Sequence, residues 1–529
     1  MLQYIIKILL RYYIFKSAMP MDELKLLAVY ALFGIRTIND TSLADAAQRQ
    51  LSASSKSRFG VFVTLRRNEN EMRWDDPNER EIHGCLGHWI YNAMTPAELV
   101  SKTQQLAKDV RTKDDRRLHF PTDVDQDASA TLDISLMNLL LREIDDVNQH
   151  QFSNKNQGIL VDSGRGKHAT YLPGVFPNAS WDYISQSLRQ KAGIGRSSAA
   201  RFYAYDTTVV SFNVYDVLFS ALSASYLRAD VAFFYLKYYD KFVPYEYNAT
   251  TRAVKVNEEE AVRNLACIGD VIAFAADYKS AFNNKPILSN LEHYYQKWLK
   301  NPAAYRQASI FLIRAYDRWG VHRSRVQLMS SQLYDALNRN ALEPRFEMGE
   351  AVSVLARVAV PQVKTLKRAV KIMRERAEDM LHTHSTPLDN VFELNWQSQS
   401  VHAMLKLELP ASASTSSRKH RTSDLNACVD HASVIFDVLT RTTQRTILRL
   451  ESLETNYLAV IYECLSNLDA IMQLLGNPHQ MSHMHDEIRN QRLRYFAALR
   501  RGEYGLYYFK DGKTARLDIT GHVMSNING

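Results

Sequence analysis

The spacing of apolar residues changes character along this chain. From Met21, Leu24, Leu27, Ala28, Ala31 and Leu32 fall on one face of a helix opened by Asp22 and Glu23. Phe59 to Arg66 (FGVFVTLR) is an apolar, β-branched and aromatic run of strand length, and the polar stretch Asn68 to Glu81 after it predicts a connecting loop. Gly164 and Gly166 mark a tight hairpin turn. Ser211 to Tyr239 has helical periodicity with many aromatics and joins this region to the next.

Beyond that join nearly every periodic segment is helical. Glu258 to Ala276, Asn290 to Leu299, Tyr305 to Trp319, Val326 to Ala336, Ala351 to His382, Val391 to Leu407, Asp424 to Leu475 and His485 to Leu499 read as helices. Asn301-Pro302, Glu343-Pro344, Thr386-Pro387 and Gly476-Asn477-Pro478 punctuate them. A short strand pair is expected from Glu503 to Ile519, turning at Asp511-Gly512. Repeated helical hairpins of this size predict an all-α domain, an α/α toroid or a helical-hairpin bundle. The low-complexity stretch 411–424 (ASASTSSRKHRTSD) reads as a flexible loop inside it. The expected organisation is therefore 1–20, 21–225 and 226–529.

The first segment leaves three readings open. Leu2 to Phe15 is apolar but interrupted by Lys7 and Arg11, and is too short to span a bilayer comfortably. It is an amphipathic surface helix that contacts membrane, an uncleaved targeting segment, or an extension upstream of a start at Met19 or Met21 rather than Met1.

Composition narrows the class without naming a reaction. At 529 residues and 46% hydrophobic the chain is ordinary globular protein, too long for one core. A formal charge of +8, from 65 basic and 57 acidic residues, only weakly favours nucleic acid or another anionic partner. Cys85, Cys267, Cys428 and Cys464 lie far apart with no CxxC pair, which argues against a disulfide framework or structural zinc and for an intracellular, cytoplasmic setting. On that ground the glycosylation pattern Asn248-Ala249-Thr250 is set aside.

The segment with most chemistry is Ile82-His83-Gly84-Cys85-Leu86-Gly87-His88-Trp89, a cysteine between two glycines and two histidines. Gly84 and Gly87 permit a sharp turn or a close backbone approach. An imidazolium at His83 or His88 would lower the thiol pKa and make Cys85 a nucleophile or redox group. His83 and Cys85 share a face only if the backbone there is extended. The plainer reading is a small cysteine packed between glycines.

Several landmarks in order resemble the AMMECR family. FGVFVTLR is followed by His83-Gly84-Cys85-Leu86-Gly87, similar to that family's Arg-Gly-Cys-Ile-Gly. Asp115-Arg116-Arg117-Leu118 stands where the family has Asp-Pro-Arg-Phe, and Thr131 to Met137 (TLDISLM) resembles its following strand. Gly158 to Val161, Ala169 to Val175 (ATYLPGV) and Lys191-Ala192-Gly193-Ile194 resemble its closing segments. His83 replaces the family's arginine and His88 its threonine. The resemblance implies an intracellular α+β domain, an antiparallel sheet with flanking helices and a cleft near the Gly-Cys loop, but no established activity.

Around that cleft the candidate ligand-binding residues are Gly84, Gly87, Asp115, Arg116, Arg117, Arg165 and Lys167, the cations being suited to an anionic or carboxylate ligand. In the helical half, glycosidase chemistry needs two carboxyl groups across a cleft; Asp277, Asp317, Asp389, Glu393 and Asp518 are available, with Trp319 and Trp396 to stack on sugars. His479, His483 and His485 have ligand spacing but no aligning helix, so no metal is assigned, and no cofactor motif stands out. Two functions follow: a binding or regulatory protein with an unknown small ligand or protein partner, or an enzyme using Cys85 or a carbohydrate-active helical domain.

Overall fold

The computed structural model describes residues 21–524 apart from 38–39, 54–56, 67–81, 115–129, 146–148, 150–151, 165, 257–259, 276–283, 344, 384–386, 410–421, 448–449, 451–452, 476–481, 500 and 510. Contacts divide the described chain into two compact units, before and after the Leu218–Phe219 bond.

The first unit is α+β. Helices α1 (Asp22–Phe33), α2 (Asp40–Ala53) and α3 (Pro96–Thr112) pack beside strands β1 (Arg58–Arg66), β2 (Ile82–Met94), β3 (Thr131–Asn138) and β8 (Thr207–Asn213). Those strands form an antiparallel sheet in the order β2-β1-β3-β8. Period-two alternation sends Val61, Val63, Leu65, Leu132, Ile134 and Leu136 to one face, where all are essentially inaccessible. Thr95 caps α3 reciprocally with Glu98, and Pro96 follows at the first helical position.

A second antiparallel sheet is ordered β4-β7-β5-β6, from β4 (Arg142–Ile144), β5 (Gly158–Asp162), β6 (His168–Tyr171) and β7 (Arg201–Tyr205). Helix α4 (Trp181–Lys191) lays Ile184 and Leu188 on it, beside Ile159, Val161 and Phe202. The β5–β6 hairpin turns where expected, with Gly164 and Gly166 both at positive φ. The two sheets meet through Phe59, Met137, Leu160 and Tyr205, flanked by Phe62 and Trp89. A short helix α5 (Val214–Leu218) ends the unit, so the segment from Ser211 begins as strand and becomes helical only at Val214.

The second unit is a ring of helical hairpins. It comprises α6 (Ala221–Tyr238), α7 (Ala261–Ala275), α8 (Asn284–Lys300), α9 (Arg306–Trp319), α10 (Arg323–Asn338), α11 (Phe346–Leu355), α12 (Val363–His382), α13 (Asn390–Glu408), α14 (Thr422–Ile447), α15 (Thr455–Leu474), α16 (Ser482–Ala498) and α17 (Leu517–Met524). Alternate members touch in a closed cycle, α7 to α9, α11, α13, α15, α17 and back to α7. The expected helix from Ala351 to His382 is broken, because Pro361 disfavours helical backbone before it and the chain turns between Leu355 and Val363. The run from Asp424 to Leu475 is likewise two helices, α14 and α15. Most of loop 411–424 lies outside the described residues.

At the C-terminal end, strand β11 (Thr514–Arg516) follows a turn at Gly512. Its ladder partner is not a neighbouring strand but β9 (Glu246–Asn248), which also pairs with β10 (Ala253–Lys255); Tyr508 makes only an isolated bridge to Ala515.

Candidate functional site

The Gly84-Cys85-Leu86-Gly87 segment is not a loop but the middle of β2. Neither glycine has positive φ; each is needed because something passes close by. A Cβ at Gly84 would stand 2.8 Å from the Val110 carbonyl of α3, and one at Gly87 would overlap the Phe62 ring. Cys85 pairs in register with Thr64 of β1, which pairs with Asp133 of β3, which pairs with Ser211 of β8. Cross-strand partners share a face, so these four form a polar row across the sheet.

Hydrogen bonds tie the row together. The Thr64 hydroxyl donates to Cys85 Sγ at 3.1 Å, and the Cys85 amide donates to Asp114 Oδ2 at 2.8 Å. Arg66 Nε pairs with Asp133 Oδ2 at 2.6 Å; the carboxylate is buried while the guanidinium is a third exposed. Cys85 keeps partial access. One end of this face is closed by the second sheet. There Tyr205 is wholly buried, its hydroxyl 2.5 Å from Thr170 Oγ1 and donating to the Tyr171 carbonyl at 3.1 Å. Burial raises the Tyr205 phenol, and Cys85 is an electrostatic neighbour that raises it further. Trp89 meets His168 edge to face at 4.5 Å.

The two flanking histidines sit in different surroundings. His88 stands three residues from Cys85 on a strand, so alternation puts it on the opposite face. Burial, and secondarily Lys102 of α3, lowers its pKa and so disfavours the imidazolium. Between Leu65 and Arg66 the β1–β2 register slips, pairing Leu65 with Gly84 but Arg66 with Ile82. His83 is the extra residue of that bulge, which breaks the simple alternation linking it to Cys85, and it is buried.

Asp115, Arg116, Arg117 and Arg165 lie outside the described residues. Lys167 Nζ donates to the Gly193 carbonyl at 2.8 Å, tying the β5–β6 hairpin to the turn after α4. Sequence reasoning passed over Thr64, Arg66, Asp114, Asp133 and Tyr205. Asp133 did leave a signal, a carboxylate inside an otherwise apolar strand.

In the helical unit three of the carboxylates singled out are taken up in pairs. Asp389 accepts from Tyr457 at 2.5 Å, Glu393 is held by Arg376, and Asp518 pairs with Arg516 at 2.5 Å. Asp317 is exposed, and Asp277 lies outside the described residues. Trp396 packs against Phe346 and Gly349, and both it and Trp319 are partly buried. His485 bonds to buried Asp469, which also takes Arg492; His483 is exposed and His479 lies outside the described residues. Asn248 accepts the amides of Thr250 and Thr251 in a turn. Among the described residues no group of three or more His, Cys, Asp or Glu is placed to hold a metal, and no helix is long and apolar enough to cross a membrane.

Residues 31–214 match the AMMECR1 family, so the first unit carries an AMMECR1 domain. A search of curated proteins matched none. Three chains of known structure match. One, an uncharacterised protein from Pyrococcus horikoshii, is 17% identical over 36% of this chain and 88% of its own, with a TM-score of 0.26.

Proposed function

We propose that the AMMECR1 domain of this chain is a recognition module, which takes up a small polar ligand on the Cys85 face of its first sheet. Cys85 acts there as a hydrogen-bonding part of the surface and not as a nucleophile. The observation that carries this reading is the row Cys85, Thr64, Asp133, with the Arg66–Asp133 pair beside it and His88 on the far face. The Thr64 hydroxyl, the Asp133 carboxylate and the partly exposed Arg66 guanidinium on this face are groups suited to binding a polar ligand. The cysteines are free thiols, which fits a reducing compartment.

The test is a ligand-observed NMR screen of small polar compounds against the full chain and against Asp133→Asn. Compounds that bind the native chain and lose binding in the variant support the proposal. Hits that bind both chains equally, or no hits at all from a broad set, overturn it.

A further inference from the structure

The helical ring gathers a cluster of charged groups. From their C-terminal halves the ring helices contribute Asp270 (α7), Arg314 and Arg318 (α9), and His402 and Lys406 (α13); Arg357 follows α11 directly. Glu463 and Asn467 come from α15 and His522 from α17. These groups are electrostatic neighbours in sequence around the ring. Arg318 faces Arg314, Asp270 and Arg357; Arg357 faces Arg314, Glu350 and Asp317; Lys406 faces Arg357. His522 Nδ1 lies 2.6 Å from Glu463 and faces Asp270.

Three of the cations keep access to solvent, while His402, Glu463 and Asn467 are buried. Arg318, Arg357 and Lys406 are exposed, yet burial is the leading cause that lowers the pKa of each, that of Arg318 to about 10. Gly521 packs closely against the cluster, since a Cβ there would overlap the Asp270 carboxylate.

The cations outnumber their local partners. Arg314 is paired with Glu350. Arg318 donates to the Gly269 carbonyl at 3.3 Å, but neither it, Arg357 nor Lys406 has a carboxylate within 4.0 Å among the described residues. A separate cavity of about 360 Å³ between α12, α13 and α14 differs on this point. Its cations are matched, Lys367 with Glu408, Lys371 with Glu375 and Arg374 with Glu378.

We infer that this cation cluster of the helical ring binds a small organic phosphate, with Arg318, Arg357 and Lys406 holding its phosphoryl oxygens. Three cations from three separate chain segments match the several oxygens and double charge of a phosphate, whereas one arginine fork satisfies a carboxylate. Asp270, protonated, donates to a phosphoryl oxygen; burial pushes its carboxyl up to about 7 despite Arg318. Burial opposes charge on His522 as well, but Glu463 overrides it and raises the pKa to about 9, adding a further cation.

Isothermal titration of the full chain with pyrophosphate tests this, with citrate as the carboxylate control. Saturable pyrophosphate binding, weakened about tenfold or more in Arg357→Ala and in Arg318→Ala, is expected. Arg357→Lys keeps the charge without the fork, so it loses affinity even if the alanine variants fold poorly. No saturable binding at millimolar pyrophosphate, equal binding of citrate, or unchanged affinity in folded variants overturns the inference. In those cases the cations only neutralise helix C-termini. This site and the Cys85 face lie in different units, so either proposal can fail alone.

Discussion

Replacing Gly87 by alanine tests why the Gly-Cys segment has its sequence. The added Cβ would overlap three carbons of the Phe62 ring, Cε1, Cδ1 and Cζ. That ring packs against the buried cluster of Phe59, Met137, Leu160 and Tyr205 where the two sheets meet, so it has core on its far side. Gly87 and Phe62 are also direct cross-strand partners, so β1 and β2 separate only by breaking their ladder. Overpacking of this kind costs roughly 1–3 kcal/mol. In a unit of this size each kcal/mol lowers the melting temperature by about 2–4 °C, so the expected fall is roughly 2–12 °C. Scanning calorimetry of the full chain, with hydrogen exchange at β1 and β2 to assign the affected transition, measures it. In a double-mutant cycle Phe62→Ala removes the obstructing ring, and Gly87→Ala then costs much less than in the native chain. An unchanged melting temperature, or strictly additive effects, refutes the close-approach explanation.

Two further perturbations concern the helical unit. The Asp270 carboxyl is raised from 3.8 to about 7, so its stabilising contribution is complete below 3.8 and lost as pH rises through 7. Native stability therefore falls from pH 5 to pH 8 relative to Asp270→Asn. Over that interval the ceiling is about 3 kcal/mol, reduced because the group is partly accessible; parallel pH profiles would contradict this. Arg492→Met removes the guanidinium from the buried Asp469 carboxylate, which His485 and Gln473 also meet, and costs about 3–5 kcal/mol in urea unfolding. A loss below about 1 kcal/mol would mean that Asp469 is neutral in the native state.

What the sequence revealed follows the range of the interactions involved. FGVFVTLR announces β1 because alternation and β-branching are local properties, and Gly164 and Gly166 announce the β5–β6 turn for the same reason. Pro361 carried the break before α12, yet the apolar pattern from Ala351 to His382 runs through it and masked it. Gly84 and Gly87 suggested a loop because glycine is commonest in turns. Their real cause, Val110 on α3 and Phe62 on β1, is visible only once the sheet and helix have docked. Asp133 was open to reading as a charged residue within TLDISLM. The charge cluster of the ring was not legible, since Asp270 and His522 meet only when α7 and α17 close the circle. The carboxylates picked beside aromatics instead belong to pairs such as Arg376–Glu393 and Arg516–Asp518.

The central claim, that Cys85 belongs to a recognition surface and is not a nucleophile, is tested most directly by its alkylation rate against pH in the folded native chain. Cys267, Cys428 and Cys464 are buried, so mass spectrometry of briefly treated protein reads Cys85 without replacing the others. The account predicts slow modification with a midpoint no lower than about 8.5, that of a free thiol. Fast modification with a midpoint well below that value would contradict it and make Cys85 an activated thiol.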